Sequence, residues 1–410
     1  MLIHNKIVNN TILCYLALSL LVMAFVEIDS AGIFPLRVFH IVQNKGFVLL
    51  FLSLIAFGIL CPLTSFKVCK LDTVSFLLFL KALLDFMHFV INPGIGNTAY
   101  WYFYSMVFVM PFIYMIFRSY SGDLRQIIKI INVFAIIIVF QELITANVNG
   151  IPYNMQEYKM YMRIPVAHSN IIGVILLAIL ILNIKLHEIN YKTLLVDGII
   201  LLGIFLTQSR GCLIFLIAWL CFIKLQSYYR KYGMTAAFVI ALIMLSGLAL
   251  LIYEIPALQT LLFEVSIQNQ YLMSTATSGR TDIWELAWNQ WFTNPLWGSG
   301  LGVTEYDIGK EVITTGVHNI VLDYAVQSGL VGVVLYFVAV FKGMKSKMIK
   351  KVAFYSAIKL SLIVMLVYSL FEVTYFNYSC FFIFWMMMGF YNSKQLFYEL
   401  HIKHINTNKK

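Results

Sequence analysis

Residues 46–63 read GFVLLFLSLIAFGILCPL, an apolar run without a charged side chain. About 18 such residues suffice to cross the hydrocarbon core of a bilayer as an α-helix. Similar runs recur along the 410-residue chain, of which 61% is hydrophobic and only 12% charged, and this composition excludes an ordinary soluble globular protein. The sequence therefore predicts an all-α, polytopic transmembrane helical bundle. About twelve spans are predicted, near residues 8–26, 46–63, 71–91, 99–117, 127–146, 169–186, 191–209, 211–228, 234–252, 317–341, 352–370 and 373–392.

The distribution of basic residues orients these spans. With the N-terminus inside, most Lys and Arg residues fall in the inner segments, as is typical of cytoplasmic loops. We therefore predict that both termini are cytoplasmic, and we attribute the net charge of +10 to these loops and not to a nucleic-acid partner. The single membrane domain divides into N-terminal spans (residues 1–252), an external catalytic loop (residues 253–317), and C-terminal spans with a cytoplasmic tail (residues 318–410).

The external loop is the one long polar stretch between apolar runs, and long loops of this kind commonly carry function. Trp284, Trp288 and Trp291 recur at helical spacing behind Arg280, which predicts a short amphipathic helix with an aromatic face. Such a helix also suits the membrane surface, which is the simpler interpretation and is compatible with a site. A guanidinium beside a helix N-terminus binds anions readily, so we predict an anion site at Arg280.

Two further arginines of the predicted outer segments are candidates for the site. Arg210 stands in Ser209-Arg210-Gly211, where one apolar run ends and the next begins. An arginine at that depth is costly unless it is paired or ligated, although snorkelling to the interface is an alternative. Arg163 lies in another sizeable outer loop, where an ordinary loop arginine is an equally good interpretation.

His318 opens the span that follows the loop. A lone histidine is more often structural than catalytic, but this one faces the predicted outer side directly after the loop that carries Arg280. Its pKa can be tuned near neutrality, so it is a candidate general base, with Asp323 as a group that orients it or pairs within the bundle. Gly298, Gly300 and Gly302 predict a turn that returns the chain to the site.

Three of the charged residues inside predicted spans bear on function: Lys81, Asp85 and Glu142. Lys81 and Asp85 are four residues apart, which suits an intramembrane ion pair with a structural role. Glu142 is unpaired by sequence and lies near the predicted outer face, where it is a possible member of the site. No pair of acidic residues or Asp-rich loop indicates a metal site, so we predict neither a metal nor another cofactor.

Two external arginines and a helix N-terminus suit a lipid-linked phosphate or diphosphate, because a guanidinium binds phosphate in a bidentate manner and keeps its charge. A diphosphate is also a leaving group that cations stabilise. Glycosyl transfer from a polyprenyl diphosphate would need a base for the acceptor hydroxyl in addition to this clamp.

The motifs at these positions resemble those of the O-antigen polymerase and O-antigen ligase superfamily of bacterial membrane glycosyltransferases, over roughly residues 163–340. They are Ser209-Arg210-Gly211, Gly279-Arg280 with Trp284, Asn294-Pro295-Leu296 through Gly298 and Gly300, and His318-Asn319 with Gly329 and Gly332.

The resemblance implies a metal-independent enzyme of the bacterial cytoplasmic (inner) membrane that acts on an undecaprenyl-diphosphate-linked glycan and an acceptor glycan or glycolipid. It implies catalytic roles for Arg210 and Arg280 as diphosphate-binding residues and for His318 as the residue that activates the acceptor hydroxyl. Substrate contacts are implied for Arg163, Ser209, Gly279, Trp284 and Asn319. A chain-length regulator stays open as a further partner beside the membrane lipids.

Three functions remain open from the sequence. We favour a polymerase that joins lipid-linked repeats into O-antigen or capsular polysaccharide. The first alternative is a ligase that transfers O-antigen to lipid A-core in lipopolysaccharide biosynthesis. The second is a polysaccharide flippase, in which Lys81, Asp85 and Glu142 would line a transport path; we rank it lower because the chain has no visible internal repeat.

Overall fold

The computed structural model describes residues 2–26, 45–91, 98–148, 163–186, 191–221, 233, 280–300, 304–307, 312–315, 317–345, 353–372 and 377–393. The helices in this part of the chain are α1 (Leu2–Phe25), α2 (Lys45–Leu63), α3 (Thr73–Ile91), α4 (Thr98–Arg118), α5 (Leu124–Val148), α6 (Ser169–Leu186), α7 (Tyr191–Leu206), α8 (Arg210–Cys221), α9 (Arg280–Thr293), α10 (Ile320–Met344), α11 (Ala353–Tyr368) and α12 (Tyr378–Tyr391). Two short antiparallel hairpins complete it: β1 (Arg163–Ile164) with β2 (Ala167–His168), and β3 (Thr304–Asp307) with β4 (Val312–Thr315).

The helical class predicted from the apolar runs is confirmed, with the two hairpins as small departures from it. Among the described residues, four helices are long and apolar enough to cross a membrane: Asn5–Phe25, Lys45–Leu63, Leu124–Asn147 and Ile320–Met344. Large apolar side chains also face outward, among them Phe51 (69% exposed) and Phe140 (64% exposed). Such a surface suits lipid and not water, and the protein is a membrane protein.

The total of twelve spans and the external position of the loop stay predictions. The predicted span 234–252 lies outside the described residues, as do loop residues 253–279.

The core is built around two helices that are apolar on every face. In α12 every residue from Tyr378 to Tyr391 is buried, and α6 is buried continuously from Ile171 to Asn183. A helix that is hydrophobic all round belongs in the middle of a bundle. Helix α11 packs against both, α12 also packs on α4, and α6 also packs on α7. The core therefore fixes the start of α6 and the end of α11. Site residues lie at these two positions.

Helix α10 is broken at Gly329, where the backbone has φ 64° and ψ −171°. The segment 294–300 fills this break with four backbone hydrogen bonds. The N–H groups of Ser299 and Gly300 donate to the carbonyls of Val326 and Gln327, and the N–H groups of Leu330 and Val331 donate to the carbonyls of Pro295 and Leu296. In an apolar surrounding, backbone groups released by a helix break need such partners. The glycine-rich turn therefore has a structural function that the sequence did not predict: it docks the end of the loop into α10.

The predicted ion pair between Lys81 and Asp85 is confirmed on α3, beside the break. Lys81 Nζ lies 2.5 Å from Asp85 Oδ2, and both side chains are fully buried. The hydroxyl of Ser328 accepts from Lys81 at 3.0 Å and donates to Asp85 Oδ1 at 2.7 Å. The Lys81 ammonium also lies 4.6 Å from the centroid of the Tyr324 ring. Buried charges are tolerated when paired and hydrogen-bonded in this way, so the cluster ties α3 to α10.

Removing one charge of this pair is expected to destabilise the protein by about 3–5 kcal/mol, because the partner is left charged and buried. We expect Lys81→Met to lower the midpoint of thermal unfolding of the detergent-purified protein. The double variant Lys81→Met with Asp85→Leu should recover most of the loss, since it leaves no unpaired charge. The exposed Lys67, changed to Met, is the matched control. A double variant as unstable as Lys81→Met would contradict a charge-pairing role.

Candidate functional site

The carboxylate of Glu372 is the centre of a polar cluster just beyond the end of α11. Its Oε2 accepts hydrogen bonds from Asn170 Nδ2 at 2.7 Å and from Arg280 Nη2 at 3.0 Å. Its Oε1 lies 2.7 Å from His318 Nδ1. One buried carboxylate thus connects the start of α6, the first residue of α9 and the residue pair that precedes α10.

Glu372 is ionised despite its burial. Burial by itself would raise the pKa of this carboxyl group, but the hydrogen bond from His318 and the electrostatic influence of His318, His168 and Arg280 outweigh it and lower the pKa to about 2. An ionised carboxylate can only accept hydrogen bonds. His318 Nδ1 therefore carries a hydrogen and donates a hydrogen bond to Glu372, and Nε2 is the ring nitrogen left to exchange a proton.

The backbone of His318 is held in an unusual conformation. Its φ of 55° lies in the left-handed region, which a residue with a Cβ adopts at a cost. Both neighbours fix it: the carbonyl of Val317 accepts the indole N–H of Trp284 at 2.9 Å, and the side chain of Asn319 caps α10 by accepting from the N–H groups of Val321 and Leu322. The histidine ring is therefore positioned by the chain on both sides as well as by Glu372.

Arg280 and His318 lie in front of Glu372 and remain partly open. Their side chains are 30% and 28% exposed, whereas that of Glu372 is only 2% exposed. Arg280 is also the first residue of α9, where the helix dipole favours a bound anion. An imidazole and a guanidinium, both partly exposed, thus contact one buried carboxylate.

The turn that carries Arg210 packs against the same two helix ends. Ser209 Oγ lies 3.0 Å from Tyr368 Oη at the end of α11, and Cys212 Sγ lies 3.7 Å from the carbonyl oxygen of Asn170 at the start of α6. A Cβ at Gly211 would come within 2.9 Å of the Tyr368 ring, so only glycine allows this close approach. Since the side chain of Asn170 also bonds Glu372, the fold brings the Arg210 turn beside the Glu372 cluster.

The five predicted substrate contacts have different positions. Ser209 is fully buried against Tyr368, and Trp284 and Asn319 use their polar groups to fix the segment around His318. Arg163 pairs with His168 in the register of the β1–β2 hairpin, but its side chain lies outside the described part of the structure, as does Gly279. A substrate contact stays a prediction for all five.

Two acidic residues suggested by the sequence are not partners of His318. Asp323 is buried in α10 and accepts a hydrogen bond from the N–H of Val317 at 3.3 Å, so it supports the segment and not the ring. Glu142 is buried in α5, where an added Cβ at Gly203 would lie 3.1 Å from its Oε2. Neither carboxylate oxygen of Glu142 has a hydrogen-bond partner among the described residues.

Sequence reasoning missed Glu372 and Asn170. Glu372 lies in the short connection between the last two predicted spans, in Ser369-Leu370-Phe371-Glu372. An acidic residue in such an apolar setting, on the same predicted outer side as Arg210 and His318, is itself a functional signal. Its pairing could not be read from the chain, because its partners are 54 or more residues away in sequence.

A family model described as O-antigen ligase matches residues 195–337, about a third of the chain. The matched segment includes Arg210, Arg280, His318 and the break at Gly329, whereas Glu372 lies beyond it. No curated protein matches the chain. The family match confirms the resemblance drawn from the motifs.

Proposed function

Because residues 195–337 match a family model described as O-antigen ligase, we propose that this membrane protein is a glycosyltransferase that uses an undecaprenyl-diphosphate-linked glycan as donor. The reaction takes place at the outer face of the cytoplasmic membrane, where the glycan is transferred to the hydroxyl group of a second glycan or glycolipid. The proposal rests on one observation: the Glu372 carboxylate contacts the side chains of both His318 and Arg280 and orients them.

His318 activates the acceptor. With Nδ1 bonded to Glu372, Nε2 takes the proton of the acceptor hydroxyl as its oxygen attacks the anomeric carbon of the donor. The ring then becomes a cation, and the buried Glu372 carboxylate stabilises it, as the acidic member of a nucleophile–histidine–acid triad does. Asn170 supports the carboxylate from the other side at 2.7 Å.

The arginines stabilise the leaving group. As the bond from the anomeric carbon to the diphosphate oxygen breaks, its electron pair leaves with the diphosphate. Arg280, the N-terminus of α9 and Arg210 supply positive charge to that anion, the role that cationic clamps have in such reactions. The 30% exposure of Arg280 leaves its guanidinium able to bind an anion while Oε2 of Glu372 orients it.

The acceptor distinguishes two versions of this function. We propose a polymerase, in which a growing chain is transferred to the next lipid-linked repeat. The second candidate is an O-antigen ligase, in which the acceptor is lipid A-core, and the description of the matching family model favours it. The Glu372 cluster disfavours a flippase. A base held beside arginines suits transfer of a glycan to an acceptor, whereas a flippase only moves its substrate across the membrane.

Complementation of a deletion strain tests the proposal. We expect Arg210→Ala, Arg280→Ala and His318→Ala each to abolish long surface glycan on gels while protein levels in the membrane stay near those of the wild type. Lys192→Ala, which changes an exposed cation at the start of α7, should complement fully. Full-length surface glycan with all three site variants would refute the assignment.

The same deletion strain separates the two acceptors. Loss of a polymerase should leave a single repeat on the acceptor, whereas loss of a ligase should leave long chains on the carrier lipid. The two products differ in length and in the lipid that carries them, so one gel combined with analysis of the carrier-lipid fraction decides between them.

A further inference from the structure

A groove of about 270 Å³ lies between α1 and α5, at a distance from the glycan site. Its walls are apolar side chains, including Leu21 of α1 and Val133 of α5, and Lys129 lies at one end. The groove is close in size to the smaller pockets that bind organic ligands.

The two helices run parallel and are pinned to each other beyond both ends of the groove. Near the start of each helix, the N–H of Ser121 donates to Asn9 Oδ1 at 2.9 Å. Near the other end, Gln141 Nε2 donates to the carbonyl of Ala24 at 2.8 Å. The groove between α1 and α5 is therefore bounded by hydrogen bonds on both sides, so it belongs to the packed part of the two helices and not to a loosely held helix end.

The groove opens on a surface that faces lipid. Leu21 is 46% exposed and Val133 57% exposed, and the neighbouring side chains of Leu18 and Phe140 also point outward. Both helices belong to the four that are long and apolar enough to span a membrane. The bilayer is the source of an occupant, because the lining is apolar apart from Lys129 at one end.

The charged end of the groove lies far from the glycan site. The opposite end of α1 adjoins the β1–β2 hairpin, where the Lys45 ammonium bonds both the carbonyl of Met23 and that of Pro165. That hairpin leads directly into Asn170, which bonds Glu372. The Lys129 end is thus the end remote from the diphosphate clamp, and the groove does not extend that site.

Basic residues gather at the Lys129 end. Arg125 lies one turn before Lys129 on α5, and Lys6 lies in the second turn of α1. All three are exposed, and Lys129 has no ion pair among the residues that the structure describes. Asp123, beside the start of α5, is the acid nearest in sequence. A lysine at the end of an apolar groove reaches toward the headgroup region, where it attracts phosphate.

We propose that this groove binds an anionic phospholipid of the surrounding bilayer. One acyl chain lies between Leu21 and Val133, and the headgroup phosphate is held by Lys129 with Arg125. The occupant is a bilayer lipid and not a reactant, since the reacting groups lie at the other end of the bundle.

Native mass spectrometry of the full-length protein in detergent, with phosphatidylglycerol and phosphatidylcholine as probes, tests this site. We expect phosphatidylglycerol to be retained preferentially and Lys129→Gln to weaken its binding about fivefold, the effect of one basic residue near an anionic headgroup. Lys67→Gln, which changes an exposed cation elsewhere, should leave binding unchanged.

A second pair of variants tests the groove itself. Val133→Trp should fill it and abolish preferential retention, whereas Phe140→Trp, on the same helix outside the groove, should not. Thermal unfolding of each variant shows whether it is folded. Equal retention of the two lipids, or undiminished binding by folded Val133→Trp, would overturn the proposal. Displacement of phosphatidylglycerol by undecaprenyl phosphate at equal concentration would also overturn it. A cross-link between position 133 and residues 234–252, formed in place of lipid binding, would do the same.

Discussion

Replacement of Glu372 by glutamine is expected to lower the rate of glycan transfer by about 10²–10⁴-fold, the range found when a general base is impaired. Glutamine keeps the size of the side chain but cannot stabilise a protonated His318, and it loses the charge that orients Arg280. The measurement is transfer by the purified protein from a lipid-linked donor. Because the interaction is needed mainly when the ring becomes a cation, kcat should fall more than KM rises.

Two further variants make this expectation specific. Glu372→Asp should restore part of the activity, because the charge returns at a shorter reach. Glu285→Gln, which changes an exposed carboxylate on α9, should be neutral. If Glu372→Gln folds normally and transfers glycan at the wild-type rate, Glu372 has no part in the reaction, and His318 must be oriented by its backbone alone.

Gly329→Ala is expected to destabilise the protein by about 3 kcal/mol or more, the combined cost of a strained φ and of overlap with neighbouring backbone. At φ 64° a Cβ would run into the carbonyl of Leu296, which is backbone and cannot rotate away. The loop segment 294–300 would be displaced, and the hydrogen bonds that fill the break in α10 would be lost. Gly298→Ala should act similarly, since its Cβ would lie 2.5 Å from the nitrogen of Gly329.

Thermal unfolding of the detergent-purified variants measures this effect. Gly58→Ala and Gly198→Ala are matched controls, because both positions are helical and no atom lies within 4 Å of the added Cβ. Alanine there should leave stability unchanged or raise it slightly through helix propensity. Wild-type stability of both Gly298→Ala and Gly329→Ala would contradict the docking of the loop into α10.

Much of the architecture could be predicted from the sequence because membrane insertion depends on local composition. An apolar run such as residues 46–63 identifies its helix without reference to any other segment, and the bounds of α2 agree with it closely. The Lys81–Asp85 pair was also local, since four residues on one helix bring two side chains together.

Only some residues of the candidate site could be predicted from their local sequence. Arg210, Arg280 and His318 could be singled out because a polar residue beside an apolar run is unusual wherever the chain goes. Glu372, which bonds both Arg280 and His318, could not be singled out in this way. Asp323 was the nearer carboxylate to His318 in sequence, yet it bonds the backbone of Val317, while Glu372 approaches from the end of α11.

The break in α10 also separates what the local sequence predicts from what the tertiary packing decides. The glycine-rich sequence at residues 298–302 indicated a turn, but a turn does not say what it packs against, and the predicted span 317–341 ran through Gly329 without a break. Burial of α6 and α12 fixes the helix ends, and the need to satisfy every backbone group in an apolar interior then selects the segment that fills the break. The sequence by itself determined which segments form apolar helices and where charged residues interrupt them. Only the tertiary structure decided which charges meet, because pairing depends on how the buried helices pack.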